Sequence, residues 1–371
     1  MRRVLVLAPR LPVDGELYGR AVVELLSGLS SRLALTLVAL NPPPLDEGGC
    51  GPLRIQGLGG GGRASRLARL VQRVAAARPV DLVWALWLHR GGPVGAMVAG
   101  LLGRPLVVSA LGGELAALPE LGYGAMATTS GRARVRLALR AAKVLTVGSE
   151  PHRDAAASVL AGTSGRRPRI ALSPLGIDPR TVAARERAPW SPGRPLSAVL
   201  VGGVAPVKRS ALALAAVAEL RARGVDARVD VFALDPAEGA AELSREAARL
   251  GLGAAFTHRG AVPPLEVVRR LASYDVLLHA SAHESQGLAL IEAALAGLPI
   301  AGPEVGVMRE LSRLGAAVEL AAPSAPALAE AALRAATRRS DARGVVAARF
   351  SLDAAIERFA GVLERAAAEG A

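Results

Sequence analysis

Two glutamates eight positions apart, Glu284 and Glu292, stand in the run HESQGLALIEAALAGLP that covers residues 283–299. The run is apolar at helical spacing and is closed by Gly297, with Pro299 beyond it; a short apolar run at 276–279 precedes it. The pattern predicts strand, loop and helix, the helix opening near Ser285–Gly287. The first amides of such a helix lack an intrahelical acceptor, and Gly287 permits a close approach. The backbone at Gln286, Gly287 and Leu288, beside Ser285, is therefore a site for phosphate that requires no cationic side chain. Eight residues of helix rise about 12 Å, roughly the reach from a hexose to a ribose across a pyrophosphate. Carboxylates flanking an anion site repel phosphate but accept hydrogen bonds from hydroxyls, so Glu284 and Glu292 suit the two sugars at either end.

The run VGGVAPVKR (201–209) carries an uncommon lysine. The chain has 45 cationic residues, of which only Lys143 and Lys208 are lysine. A compact ammonium against a phosphate oxygen is the chemistry that lysine supplies. Gly202 lies in the same turn and Arg209 adjoins the lysine. The five histidines, His89, His152, His258, His279 and His283, lack metal-ligand spacing; His283 alone, beside Glu284, is a candidate for the sugar. No side chain presents itself as a nucleophile.

These residues need a scaffold that brings loops together. Apolar strand-like runs at 4–8, 35–40, 82–85, 106–110 and 144–147 alternate with helical stretches at 19–29, 63–77, 94–102 and 132–142. The alternation restarts after the Pro-rich stretch 176–195, with strands at 198–201, 227–232 and 276–279 and helices at 210–223, 237–250 and 287–296. Such alternation implies parallel sheets covered on both faces, with ligands beyond the carboxyl ends of the strands. A length of 371 residues suits two domains. The expected division is 1–178, a linker over 179–195 and 196–349, with a last helix near 352–368, so that 350–371 belongs with the first domain.

The segment 283–299 resembles the E-x7-E donor motif of the family 4 retaining glycosyltransferases. VGGVAPVKR resembles that family's V-G-R-L-x-x-x-K-G loop, with Lys208 at the lysine and Gly203 where the family has arginine. PLGID (174–178) is similar to its P-N-G-V-D turn, with Leu175 in place of asparagine, and AAKVLTVGSE (141–150) is similar to its A-D-x-V-I-A-V-S strand. The segment 81–115 resembles the one ending in H-G-x-D, with Leu111 where many members have histidine. In PRLPVDGELYGR (9–20), Gly15 and Gly19 resemble the glycine loop that meets the donor phosphates. PEVGVMREL (303–311) is similar to G-G-x-x-E, with Gly306 and Glu310 matching; Glu310 is equally well placed to act as a structural partner at a helix start.

The resemblance spans most of the chain and implies an α/β protein of GT-B fold: two doubly wound, Rossmann-like domains facing a central cleft, with the C-terminal helix crossing back to the first. It implies sugar transfer, with retention, from a nucleoside diphosphate sugar to a hydroxyl of a glycan or lipid-linked acceptor, as in the building of cell-envelope polysaccharides. Glu284 then contacts the donor sugar, Glu292 the ribose, and Lys208 the diphosphate. No metal or other cofactor is implied. The departures at Gly203 and Leu111 keep two alternatives open: a nucleotide-sugar epimerase on this fold, and an inactive homologue that binds nucleotide sugars.

Composition bounds the setting. Half the chain is apolar, which fits packed domains, and Cys50 is the only cysteine, so no intrachain disulfide forms. The apolar run near the N-terminus stops at Pro9, too short for a signal segment, and a cytoplasmic location is expected. The net charge of +13 is uneven: residues 1–183 carry 23 Lys+Arg against 11 Asp+Glu, and the remainder 22 against 21. The basic first half, including Arg132, Arg134, Arg136, Arg140 and Lys143, suits an anionic membrane surface or acceptor rather than nucleic acid, or is a solvated arginine face.

Overall fold

In a computed structural model, residues 1–11, 19–40, 48–50, 53–163, 165–184, 188–233 and 237–369 are described. They form two compact units, Met1–Gly176 with Leu352–Ala371, and Ile177–Ser351. The first contains β1 (Arg3–Ala8), α1 (Arg20–Leu29), β2 (Ala34–Ala39), β3 (Gly48–Cys50), β4 (Leu53–Gly57), α2 (Arg63–Ala76), β5 (Leu82–Leu86), α3 (Gly92–Leu102), β6 (Leu106–Ser109), α4 (Thr129–Ala141), β7 (Val144–Val147), α5 (Glu150–Ala161) and β8 (Arg169–Leu172). Its sheet runs β3-β4-β2-β1-β5-β6-β7-β8. Every neighbour pair is parallel except β3 against β4, where Gly48 opposes Ile55.

Strands buried on both faces read as continuous apolar runs, and β1 and β5 do so from Val4 and Leu82 onward. Alternation sends Leu5, Leu7, Val83 and Val108 to one face, against Leu70 of α2, Val98 of α3, Leu139 of α4 and Leu160 of α5. Trp84 points to the other face. There its indole Nε1 donates to Ser109 Oγ at 2.8 Å, and its ring lies 5.5 Å from that of Phe359.

The second unit contains β9 (Leu196–Val201), α6 (Ser210–Ala222), β10 (Ala227–Phe232), α7 (Ala237–Arg249), β11 (Phe256–His258), α8 (Pro264–Arg270), β12 (Val276–Leu278), α9 (Leu288–Ala296), β13 (Ile300–Gly302), α10 (Met308–Arg313), β14 (Val318–Leu320), α11 (Ala325–Ala336) and α12 (Arg343–Phe350). The chain then returns to the first unit as α13 (Leu352–Ala368), which carries Phe359. All neighbours in the second sheet are parallel, in the order β11-β10-β9-β12-β13-β14. The connections leave β9 towards β10 on one side and resume at β12 on the other. This reversal opens a crevice beyond the carboxyl ends of β9 and β12, where a doubly wound sheet takes its ligand.

The Pro-rich stretch 179–195, expected to be a linker, is grouped with the second unit. Its prolines mark turns, but two side chains pin it to the core. Val182 and Trp190 are buried there, and the Trp190 amide donates to Ala336 O at 2.8 Å. The indole of Trp190 donates to Arg194 O at 2.8 Å. Arg194 in turn reaches Asp275 Oδ1 at 2.9 Å, where the carboxylate is fully buried, and the Ser197 amide donates to Oδ2 at 2.9 Å. Removing the guanidinium takes the charged donor from a fully buried carboxylate. Arg194→Ala is therefore expected to cost about 2 kcal/mol, read as lost amide-exchange protection along β9 and β12. Unchanged protection would show that the Ser197 amide suffices.

Candidate active site

Two loops meet at the crevice of the second unit. After β12 the chain continues from His279 to Gly287 and then turns into α9; after β9 it runs from Gly202 to Arg209 and turns into α6. The Ala282 amide donates to Val207 O at 2.7 Å and ties the loops together. Gly202 holds φ at 151°, a value that L side chains rarely adopt, while its amide donates to Phe232 O at 3.0 Å. Pro206–Lys208 is a single 3-10 turn, and Arg209 opens α6 in the left-handed region, at φ 49°.

This geometry brings Lys208 Nζ to 2.6 Å from Glu284 Oε1, although 76 residues separate the two in sequence. His279 Nε2 lies 3.5 Å from the same oxygen. Burial alone pushes the Glu284 carboxyl up. The Lys208 ammonium, with His279 and the Ser281 hydroxyl, more than reverses this and holds it below its usual range. For His279, burial outweighs the pull of Glu284 and brings the pKa down to about 4, so the imidazole is neutral near pH 7.

The loop bearing Glu284 is shaped by two glycines. Gly287 caps α9 at φ 88°, and a Cβ there would come within 2.6 Å of Leu290 Cδ1. Gly306, at φ 54°, packs its backbone on the loop: a Cβ would overlap Gln286 O and lie 2.9 Å from Glu284 Cβ, while the Val307 amide donates to Gln286 O at 2.9 Å. Leu290 and Ile291 donate to Gly287 O at 3.1 and 3.4 Å, and the amides of Leu288 and Ala289 precede any acceptor within the helix. Beside α9 lies a cavity of about 290 Å³. Val201, Phe232, Val262 and Val267 give it apolar walls, Gly202 and Gly203 leave it open, and Glu292 contributes a carboxylate.

Lys208, Glu284, Ser285, Gln286, Gly287 and Leu288 thus gather at one crevice, and Gly202 links it to the cavity that holds Glu292. The Arg209 guanidinium, next to Lys208, makes no hydrogen bond among the described residues. Gly15 lies outside the described residues. Gly19 opens α1 of the first unit at φ 75°, and Leu111, also in that unit, donates its amide to Glu114 Oε1 at 3.2 Å. Glu310 stands in the first turn of α10, where Arg349 donates to it at 2.6 Å, a structural ion pair. His279, which sequence reasoning had not singled out, lies against Glu284. The signal for it was its position at the carboxyl end of an apolar strand run. The cavity walls Phe232, Val262 and Val267 were also unforeseen; Phe232 ends β10, Val262 lies between β11 and α8, and Val267 is in α8.

A family model described as glycosyl transferases group 1 matches residues 196–338, most of the second unit. The 2-deoxystreptamine glucosyltransferase of Streptomyces kanamyceticus is 32% identical over 275 residues, 68% of this chain and 67% of that protein. The chain belongs to the group 1 glycosyltransferases. Sucrose-phosphate synthase from Thermosynechococcus elongatus superposes with a TM-score of 0.76 at 16% identity, covering 99% of this chain and 100% of that one. Anabaena HepE, solved with UDP and glucose, gives 0.73 at 20% identity, covering 98% and 100%. The architecture is that of the GT-B glycosyltransferases.

The ion pair sets a pH dependence with a definite sign. Glu284 titrates lower in the folded chain than in the unfolded one, so its contribution to stability is present above the unfolded value and is lost as pH falls through the folded one. In Lys208→Met the main opposing cause is gone and burial dominates. The carboxyl then rises above its unfolded value, and its contribution is present in acid and is lost as pH rises through the folded value. Carboxyl-carbon NMR of Glu284 is expected to show this reversal; titration of the variant still below about 4.3 would show that Lys208 is not its cause.

Proposed function

We propose that this chain transfers a sugar from a nucleoside diphosphate sugar to a hydroxyl of a glycan or lipid-linked acceptor, with retention at the anomeric carbon. The observation that carries the reading is the meeting of Lys208 and Glu284 at the switch-point crevice, one helix entrance away from the cavity bearing Glu292. The apolar cavity suits a nucleobase, and Glu292 suits ribose hydroxyls. The amides at Gln286–Leu288 suit the diphosphate, and Glu284 suits hydroxyls of the donor sugar. The name of the Streptomyces relative, a glucosyltransferase, and the UDP and glucose in HepE support the same assignment.

In the reaction, the acceptor oxygen bonds to C1 on the face that the diphosphate leaves. The bond between C1 and the bridging phosphate oxygen breaks, and the departing diphosphate takes the acceptor's proton, so no side chain serves as general base. Negative charge grows on the leaving group. Lys208 has two N–H donors beyond the one given to Glu284, and a third of its side chain is exposed. Fixed before substrate arrives, it stabilises that charge without reorganisation. Arg209 adds a second cation at the same turn.

Incubation of the protein with a panel of nucleotide sugars and with lipid and glycan acceptors is expected to release nucleoside diphosphate. Glu284→Ala is expected to lose at least about a hundredfold in kcat/KM. Glu292→Ala is expected to raise KM for the donor about tenfold, with a smaller change in kcat. Proton NMR of the product is expected to show the anomeric configuration of the donor. Undiminished release by Glu284→Ala would overturn the site; an epimerised donor without transfer would favour the epimerase, and binding without release the inactive homologue.

A further inference from the structure

The positive charge of the chain has a location in the fold. The first unit carries 24 Lys+Arg against 14 Asp+Glu, and the second 21 against 18. Within the first unit, α2, α3 and α4 cover one face of the sheet, anchored inward by Leu70, Val98 and Leu139. Four arginines lie in α2 and four in α4, and none of the three helices contains an aspartate or glutamate. Among the described residues Arg134, Arg136 and Arg140 make no ion pair. The neighbouring α5, with Glu150 and Asp154, marks the edge of this carboxylate-free area.

The same helices expose aliphatic side chains. Leu67 and Val71 of α2, Met97 and Leu101 of α3 and Leu137 of α4 are five of the nine large apolar residues exposed among the described residues, with Leu101 at 73% and Leu137 at 53%. Exposed leucine is thus concentrated where negative charge is absent. Beside α3 and the end of α4 lies a groove of about 480 Å³, with small walls at Ala96, Gly100 and Ala141, three cations at Arg104, Lys143 and Arg166, and one carboxylate, Glu369. Lys143 also meets Glu369 at 3.2 Å.

We propose that this helix layer seats the protein on an anionic phospholipid surface. Aliphatic side chains enter the boundary between headgroups and acyl chains, and arginines pair with lipid phosphates. The groove admits a phosphate headgroup to Arg104 and Arg166. Nucleic acid fits less well, since the three helices carry no aromatic ring on which a base could stack. A protein partner anchored by aromatic residues meets the same objection. No helix among the described residues is long and apolar enough to cross a membrane, so the contact is interfacial. The proposal is independent of the donor reading, because it requires neither nucleotide nor turnover.

The test is co-sedimentation of the full chain with vesicles of pure phosphatidylcholine and of phosphatidylcholine mixed with phosphatidylglycerol, at low and at about physiological salt. Binding is expected to the anionic vesicles alone and to weaken with salt. Arg134→Gln, Arg136→Gln and Arg140→Gln together are expected to lower partitioning about a hundredfold. Leu101→Ser with Leu137→Ser is expected to lower it about tenfold. Arg221→Gln, Arg223→Gln and Arg228→Gln, which remove the same charge from the second unit, are expected to leave it unchanged. Circular dichroism checks that each variant is folded. Equal binding to neutral vesicles, undiminished binding by either variant set of the helix layer, or binding to heparin or an oligonucleotide without binding to vesicles would overturn the proposal.

Discussion

A carboxylate that keeps only 13% of its side chain exposed must be compensated, and in the second unit the compensation of Glu284 depends on sheet order. Lys208 belongs to the loop after β9 and Glu284 to the loop after β12. They meet because β9 and β12 are neighbours, Val199 opposite Leu277, at the point where the chain reverses its direction of travel across the sheet. The loops then have to approach closely. Gly202, Gly287 and Gly306 each adopt a positive φ, and Gly287 and Gly306 each lie where a Cβ would collide with a neighbour. The unusual backbone of these loops is therefore explained by the need to hold one charge pair at the mouth of the crevice.

Much of this was legible locally. The span and C-cap of α9 followed from apolar periodicity and from Gly297, whose φ of 73° is the left-handed closure expected of it. The last helix and the restart of alternation near residue 196 were similarly readable. The elements that escaped were short: β11, β13 and β14 have three residues each, too few to show a period, and β8 is partly exposed. His279 escaped for another reason. Judged by spacing to other histidines it suggests nothing; its place beside Glu284 follows from standing one residue past β12 at the switch point, a property of strand order. The stretch 179–195 has the composition of a linker, and only the distant partners Ala336 and Asp275 reveal that Trp190 and Arg194 belong to a core.

The two departures from the family pattern have different physical weight. Gly203 lacks the arginine usual there, but its carbonyl accepts from Ser210 Oγ at 2.6 Å, so the turn is still fixed. Its missing side chain leaves space in the cavity that Glu292 enters. The cations present at this turn are Lys208 and Arg209, the latter in the left-handed backbone region at φ 49°. Leu111 is different in kind. It removes a polar side chain from the loop after β6, yet the loop itself is held by Glu114, a fully buried carboxylate that accepts the amides of Leu111 and Gly112. Burial pushes this carboxyl up, against the downward pull of those amides. The backbone at Leu111 is thus held through its amide, independently of the chemistry of its side chain.

The units also differ in how they manage charge. In the second, arginines are matched locally: Arg259 to Asp230, Arg249 to Glu246, Arg334 to Glu319 and Glu330, and Arg349 to Glu310. Such pairs contribute little stability each where exposed, but each offsets the charge of one arginine; Arg209, beside Lys208, has no such partner among the described residues. The protonation of Glu284 and His279 is then governed by their immediate neighbours, which is what a site tuned by one lysine requires. In the first unit the arginines of α4 have no such partners, and their field extends outward, limited by salt rather than by carboxylates. Charge is therefore spread unevenly along one chain, nearly balanced in the unit that holds the Lys208–Glu284 pair and in excess on the helices of the other.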